Sequence, residues 1–332
     1  MRSRIRTLKG GNAGLCIVSS RMRDPLSDIL TAMRVTSVLP VRFESVGGYA
    51  MRFPGYEHLK FGALLSGALE LRPDNGPPLH LVAGDCYLFT DGQSYVSRTA
   101  DVPVIDGARF FEEHRGTSGV VRFGEGEPEK IVVGGRFTFD RVGAEWLRAA
   151  LPPAIHIPAS APSAAPLRAT LELLQHEVGT NAAGEELVVA RLADILLVQA
   201  LRAHLTMSGD QRPSWLAALI DPRLGRALRS FHGVVGEDWS VARLAAEAGM
   251  SRSSFADRFR ARTGLAPMEY IARWRLFRIR RALLETDQPF GLLAESNGWK
   301  SRTSCSRAFQ QLFGISPQAL RASEIGFSAA AE

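Results

Sequence analysis

No run of roughly eighteen apolar residues occurs anywhere in this 332-residue sequence, so no membrane-spanning helix is expected. Cysteine is scarce. Cys16, Cys86 and Cys305 lie far apart and form no CxxC pair, which excludes a disulfide framework or a zinc module and fits a reducing cytoplasm. The basic start, Met1 to Gly11, is followed by no apolar segment, so no secretory signal is expected. Gly-x-Ser-x-Gly, phosphate-loop and dinucleotide signatures are all missing, which removes the common grounds for a catalytic reading. What is present is a globular balance of 45% hydrophobic and 22% charged residues, in a chain long enough for about two domains.

Charge is unevenly placed. The formal net charge is +6, but Ser240 to Glu324 holds 14 Lys and Arg against 7 Asp and Glu. That stretch carries +7 and leaves −1 for the rest. A near-neutral body joined to a basic C-terminal quarter points to a polyanionic partner for that quarter.

From about residue 41 to 98, short runs rich in aromatic and branched residues alternate with Gly, Pro, Asp and Asn turns. The spacing predicts strands at Val41–Val46, Tyr49–Phe53, Phe61–Leu65, Ala68–Arg72, Asp85–Phe89 and Ser94–Arg98, the pattern of an antiparallel barrel or sandwich. Further strands are expected at Val104–Phe111, Gly119–Phe123 and Lys130–Phe139. Pro152-Pro153 and Pro158–Pro166 break the pattern, and two helices are expected after them, Leu167–Val178 and Glu185–Leu205. The second is apolar almost all round, suiting burial under the barrel or a dimer seam. Gly209–Pro213 reads as linker, and Pro222–Arg321 as helical throughout.

The basic quarter contains an internal repeat. Leu244-Ala245 matches Leu293-Ala294, Gly249 matches Gly298, Ser251 matches Ser301, Phe259 matches Phe309, and Gly264-x-x-Pro267 matches Gly314-x-x-Pro317. The offset is 49 residues up to the glycine and 50 after it. Each copy is a short helix, a glycine able to end it, a serine able to cap the next helix, and a second helix with core residues at i and i+4. Those core residues are Phe255/Phe259 in one copy and Cys305/Phe309 in the other. This is helix-turn-helix grammar, written twice. Between the copies, Met268–Glu285 reads as one rigid helix bearing Arg273, Arg275, Arg278, Arg280 and Arg281. Such a spacer could present both second helices to successive major grooves of a DNA duplex.

These residues, over roughly 225–322, resemble the AraC/XylS family of transcriptional regulators. Asp24–Leu30, Phe61–Leu71 and Gly84-Asp85 resemble the cupin-type sensor domains fused to that family. The resemblance implies an α+β chain, with an N-terminal antiparallel cupin-like β-barrel with trailing helices and a C-terminal all-α domain of two helix-turn-helix units. The expected division is a tail over 1–22, a sensor over 23–157, a helical packing or dimerisation segment over 158–208, a linker over 209–224, the DNA-binding domain over 225–322 and a tail over 323–332. Double-stranded DNA, a small-molecule effector, a second copy of the chain and RNA polymerase are the implied partners, with no membrane and no resident cofactor.

With Phe255, Phe259, Cys305 and Phe309 facing inward, the opposite side of each second helix is left for the groove. The first unit offers Arg252, Ser253, Ala256 and Asp257; the second offers Arg302, Thr303, Ser306 and Arg307. Arginine can pair with guanine and Ser or Thr with several base edges. Arg258, Arg260, Arg262, Lys300 and the spacer arginines suit phosphate contacts. In the barrel, Phe43, Phe53, Phe61, Leu65, Tyr87, Phe89 and Tyr95 are candidate cavity walls, with Arg52 and Arg98 as anchors for an anionic group. Metal-dependent cupins resemble one another in a Gly-x5-Pro-x-Gly-x2-His phrase. Here, counting from Gly84, Thr90 stands at the proline and Tyr95 at the histidine, and no His-x-His pair precedes them. Metal chemistry is therefore not expected. A cupin enzyme with a packed helical appendage and a regulator without a ligand remain the alternatives.

Overall fold

The alternating stretch folds as short strands that change sheets at tight turns. The computed structural model describes residues 24–32, 36–116, 119–138, 141–178, 180, 182–208 and 213–328. The expected tail over 1–22 and Cys16 lie outside them. Helix α1 (Pro25–Ala32) comes first, followed by β1 (Thr36–Ser45), β2 (Ala50–Phe53), β3 (Leu59–Ser66), β4 (Ala68–Pro73), β5 (Leu79–Val82), β6 (Cys86–Phe89), β7 (Tyr95–Arg98) and β8 (Ile105–Asp106). Then come α2 (Gly107–His114), β9 (Val120–Phe123), β10 (Lys130–Thr138), α3 (Arg141–Ala150) and β11 (Ala154–Ile157).

The strands form a six-stranded sheet ordered β11-β6-β3-β10-β1-β9 and a five-stranded sheet ordered β5-β4-β7-β2-β8. Pairing is antiparallel except for β1 with β9 and β2 with β8. The α+β class is as expected, but the barrel is not closed: the two sheets face each other and neither joins its own end strands. The chain crosses between sheets from β3 to β4 at Gly67, where φ is +80° and a Cβ would meet the Glu129 carbonyl. Only glycine fits there without strain.

Three local readings change. Val104–Phe111 is not a strand beyond Ile105–Asp106, because the Asp106 carboxylate accepts from the Arg109 N–H and starts α2. Helix α3 falls between the strand expected over Lys130–Phe139 and the break at Pro152-Pro153, where no element was read. Strand β11 follows Pro152-Pro153 directly, a proline start that an edge strand tolerates, and pairs with β6.

Helices α4 (Ala165–Glu177) and α5 (Glu185–Ser208) cover the outer face of the six-stranded sheet. Leu59, Phe61 and Ala63 share one core with Leu167, Leu171, Leu196 and Leu197. Then comes α6 (Trp215–Ile220), capped by the Ser214 hydroxyl, with Trp215 through Ala218 buried. Part of the linker expected over 209–224 is thus a six-residue helix whose first four residues are buried, Trp215 and Leu216 belonging to the shared core.

The rest is helical: α7 (Leu224–Gly233), α8 (Val241–Ala248), α9 (Arg252–Thr263), α10 (Pro267–Glu285), α11 (Phe290–Ser296), α12 (Arg302–Phe313) and α13 (Pro317–Ser328). The last extends through part of the tail expected over 323–332. One hydrophobic core runs from Leu26 of α1 through the sheet and α3 to Phe277 of α10. Trp146 of α3 is its hinge-pin. The Trp146 ring stacks on Phe277 at 4.9 Å between centroids and lies 5.4 Å from Trp215. Beside it, fully buried His232 of α7 hydrogen-bonds through Nε2 with the Tyr270 hydroxyl at 3.0 Å, and its Nδ1 lies 3.8 Å from Asp28 of α1. Burial holds the His232 imidazole below its ordinary pKa.

Candidate DNA-binding surface and sensor cavity

Each helix-turn-helix unit is assembled by its own short-range chemistry. Gly249 adopts φ +64° and ends α8, and the Ser251 hydroxyl accepts from the Ser254 N–H to start α9. In the second unit, the Ser301 hydroxyl accepts from the Ser304 N–H to start α12. Phe255 and Phe259, and likewise Cys305 and Phe309, are buried. The opposite faces are therefore turned outward. Arg252, Ser253, Asp257, Arg302, Thr303 and Arg307 are exposed, while Ala256 and Ser306 are partly so. Among the described residues, Arg252, Arg302 and Arg307 have no ion pair or side-chain hydrogen bond to the protein. Lys300 is exposed, with Nζ 2.9 Å from Asp238.

The other arginines divide sharply. Arg258 is held 2.7 Å from Asp221, a buried carboxylate that also caps α7 through the Arg223 and Leu224 N–H groups. Arg262 approaches the same carboxylate at 3.8 Å. Arg273 pairs with Glu269, Arg281 with Glu285, and Arg280 lies over the Phe313 ring. Arg275 corrects the expectation that the spacer arginines face phosphate. It is buried, and its guanidinium donates to the carbonyls of Val235, Glu237 and Gly298. Arg275 therefore rivets the first unit to the turn of the second. Burial lowers its pKa from the usual arginine value. Nothing in the one-dimensional pattern distinguishes it from its neighbours except its place on the apolar side of α10.

Between the sheets lies a cavity of about 180 Å³. Phe43, Phe53, Tyr87 and Tyr95 line it, as the alternation predicts, and Phe61 borders it although it belongs to the core under the helices. Four expected residues do not, the first being Leu65, which packs against the core that the sheet shares with the helices. Phe89 is fully buried behind Tyr87 and Tyr95, Arg52 pairs outward with Asp74, and Arg98 pairs with Glu70. Lys60 is the lining cation, with Tyr49, Met51 and Phe111 as further walls that the sequence reading left out. Lys60 was nevertheless legible as a single charge inside the apolar strand run Leu59–Leu65. Gly134 and Gly135 line the cavity without side chains. A Cβ on Gly62 would collide with the Tyr87 ring.

Tyr95, at the position where metal cupins have a histidine, sits beside Lys60 rather than in a ligand set. Among the described residues no three His, Cys, Asp or Glu side chains converge as a metal site. Asp85 instead accepts from the Val82 and Ala159 N–H groups and contacts His156 Nε2 at 2.9 Å, a structural staple. Burial pushes the Cys86 and Cys305 thiols up to about 12, so neither is a reactive thiolate near neutrality. Among the described residues, no helix is long and apolar enough to cross a membrane.

A Cupin family model matches residues 24–206, and a Helix-turn-helix domain model matches residues 244–323. An AraC-like transcription regulator of Streptomyces antibioticus is 35% identical over 296 residues, which is 89% of this chain and 97% of that protein. The HTH-type transcriptional regulator AlkR of Acinetobacter baylyi is 29% identical over 306 residues, 90% of this chain and 99% of its own. Among solved structures, the DNA-binding domain of AdpA, a global transcriptional factor in complex with a target DNA, is 32% identical. It covers 31% of this chain and 92% of its own, with a TM-score of 0.30. With a cupin domain ahead of two serine-capped helix-turn-helix units, and a relative at 35% identity along nearly its whole length, this chain belongs to the AraC-like family of DNA-binding transcription regulators.

Proposed function

We propose that this regulator works in the cytoplasm without catalysis, reads its operator with the outward faces of α9 and α12, and is controlled by a small molecule held between the two sheets. The carrying observation is the set of uncommitted groups on those faces, Arg252, Arg302, Thr303 and Arg307, with Ser253 bonded only to the neighbouring Ser251 hydroxyl, next to arginines that are committed elsewhere. An arginine with no protein partner is free to form a bidentate pair with a guanine. Asp257 supplies an acceptor for a cytosine amino group, and Ala256 and Ser306 allow close approach to base edges. Arg260 and Lys300 suit phosphate, which fixes register rather than sequence.

Arg302→Ala and Arg307→Ala are each expected to weaken binding to the cognate site by roughly 5- to 100-fold, leaving helix content unchanged. Gel-shift titration beside circular dichroism tests this, and unaltered affinity removes the assignment. The logarithm of affinity should also fall steeply with that of salt, by roughly 0.9 per phosphate neutralised. A flat salt dependence would argue against phosphate contact.

Control by a ligand is supported by the shared core. The sheet that walls the cavity, α3 and α10 are packed as one body, so a change in strand spacing has a contiguous route to the DNA-binding units. A second copy would dock through α4 and α5, where Leu173, Leu187, Val188 and Ile195 are exposed. RNA polymerase would be the further partner. Sedimentation of wild type against Leu187→Glu tests the dimer, with a monomeric variant as the expected result.

A further inference from the structure

The cavity contains a cation that no protein carboxylate neutralises. Lys60 projects from β3, near the middle of the six-stranded sheet, toward the facing sheet. Its Nζ lies 4.2 Å from the Tyr56 ring centre, 5.0 Å from that of Tyr95 and 5.3 Å from that of Phe53. Arg136 stands directly opposite Lys60 in the β10 register, and His58 precedes it by two residues. Among the described residues, neither Lys60 nor Arg136 has a carboxylate within ion-pair distance. The Tyr56 and Tyr95 phenols face Lys60 and those of Tyr49 and Tyr87 line the same cavity, and burial keeps all four protonated above their ordinary pKa. Asp91 acts on Tyr56.

A half-buried ammonium loses hydration that three aromatic faces replace only in part. An anion brought to it would restore the missing partner. Most of the rest of the lining is apolar, from Met51, Leu69 and Leu71 to Val132, and its Ser97 hydroxyl is hydrogen-bonded to the Tyr49 hydroxyl at 3.1 Å. At about 180 Å³ the space exceeds the roughly 150 Å³ of an apolar cavity known to accept benzene, so it suits a ring-sized body.

We infer that the cavity takes a small organic monoanion with an apolar, ring-sized body, its acidic head against Lys60. This rests on the proposal that the cavity is the effector site. One lysine inside the cavity matches one negative charge, and the apolar walls disfavour a sugar or a second charge. Burial and then the neighbouring Arg136 lower the Lys60 pKa to about 8, and similar causes take His58 down to about 4. His58 is therefore neutral near pH 7, which leaves Lys60 as the cation that lines the cavity.

The test is calorimetric titration of the full-length protein with phenylacetate and with phenylethanol, its uncharged near-isostere. The wild type is expected to bind the acid roughly tenfold or more tightly than the alcohol, the scale of one charge-assisted hydrogen bond. Lys60→Met should erase that preference while keeping alcohol binding, and Lys60→Arg should retain it. Raising the pH beyond about 8 should weaken acid binding until its preference over the alcohol is lost, as Lys60 loses its proton, without weakening alcohol binding. Circular dichroism and the unfolding temperature of each variant verify folding. Equal affinity for the two compounds, or a preference that survives Lys60→Met, overturns the anion inference and leaves the effector cavity standing. Binding of neither overturns both.

Discussion

Arg275→Met is expected to lower the stability of the DNA-binding half by about 3 kcal/mol, the range for removing one partner from a buried charged network. Its guanidinium satisfies the carbonyls of Val235, Glu237 and Gly298, at 2.6 to 3.1 Å. Methionine fills much of the volume and donates to none of them. Lysine keeps the charge but lacks the planar fork that spans two turns at once, so Arg275→Lys should recover only part of the loss. Function should fail beyond what stability explains. Val235 and Glu237 precede α8, whereas Gly298 shapes the turn before α12. Without the rivet, the two reading helices keep their folds but lose their fixed relation, and specific affinity falls while nonspecific binding survives. Urea unfolding with gel shifts on cognate and scrambled DNA measures both. Arg273→Ala is the matched control. Its exposed pair with Glu269 should change stability by no more than about 0.5 kcal/mol.

Trp146→Ala should have the second large effect, about 3 to 5 kcal/mol, as for emptying a large aromatic site in a core. Trp146 is 7% exposed and belongs to α3, on the sheet side of the molecule. Its ring neighbours Trp215, Tyr270, Trp274 and Phe277 all belong to α6 or α10. In addition, Trp215 Nε1 donates to the Trp146 carbonyl at 3.3 Å. The cavity left by alanine therefore lies at the junction of the two halves. Scanning calorimetry should show a wild type that unfolds cooperatively and a variant whose halves melt apart. A variant with one unshifted transition would mean that Trp146 does not join them. Coupling should weaken in step, so an effector that alters wild-type DNA affinity should alter the variant's less.

Legibility followed the range of the interactions. Serine caps at Ser251 and Ser301, the left-handed Gly249, the Gly264-x-x-Pro267 and Gly314-x-x-Pro317 tails and the i, i+4 core pairs each act within one or two helical turns. Their residue types announced the two units, and α4, α5 and α10 were equally plain from their apolar spacing. In the sheets, alternation placed Phe43, Phe53 and Tyr95 on the cavity side. It misread Val104–Phe111, where a single side-chain cap at Asp106 outweighed strand-forming residues.

The amino-acid order alone determined that this chain has two copies of a DNA-reading unit on a basic quarter, because each copy is held by contacts between near neighbours. Only the tertiary structure decided which cations remain available. Asp221 claims Arg258 from 37 positions away, Arg275 reaches back 40 positions to Val235, and Lys60 meets the Tyr95 ring from a different strand. Burial and ion pairing are properties of groups brought together from distant parts of the chain, so identical letters such as Arg275 and Arg302 become buried in one case and exposed in the other only on folding.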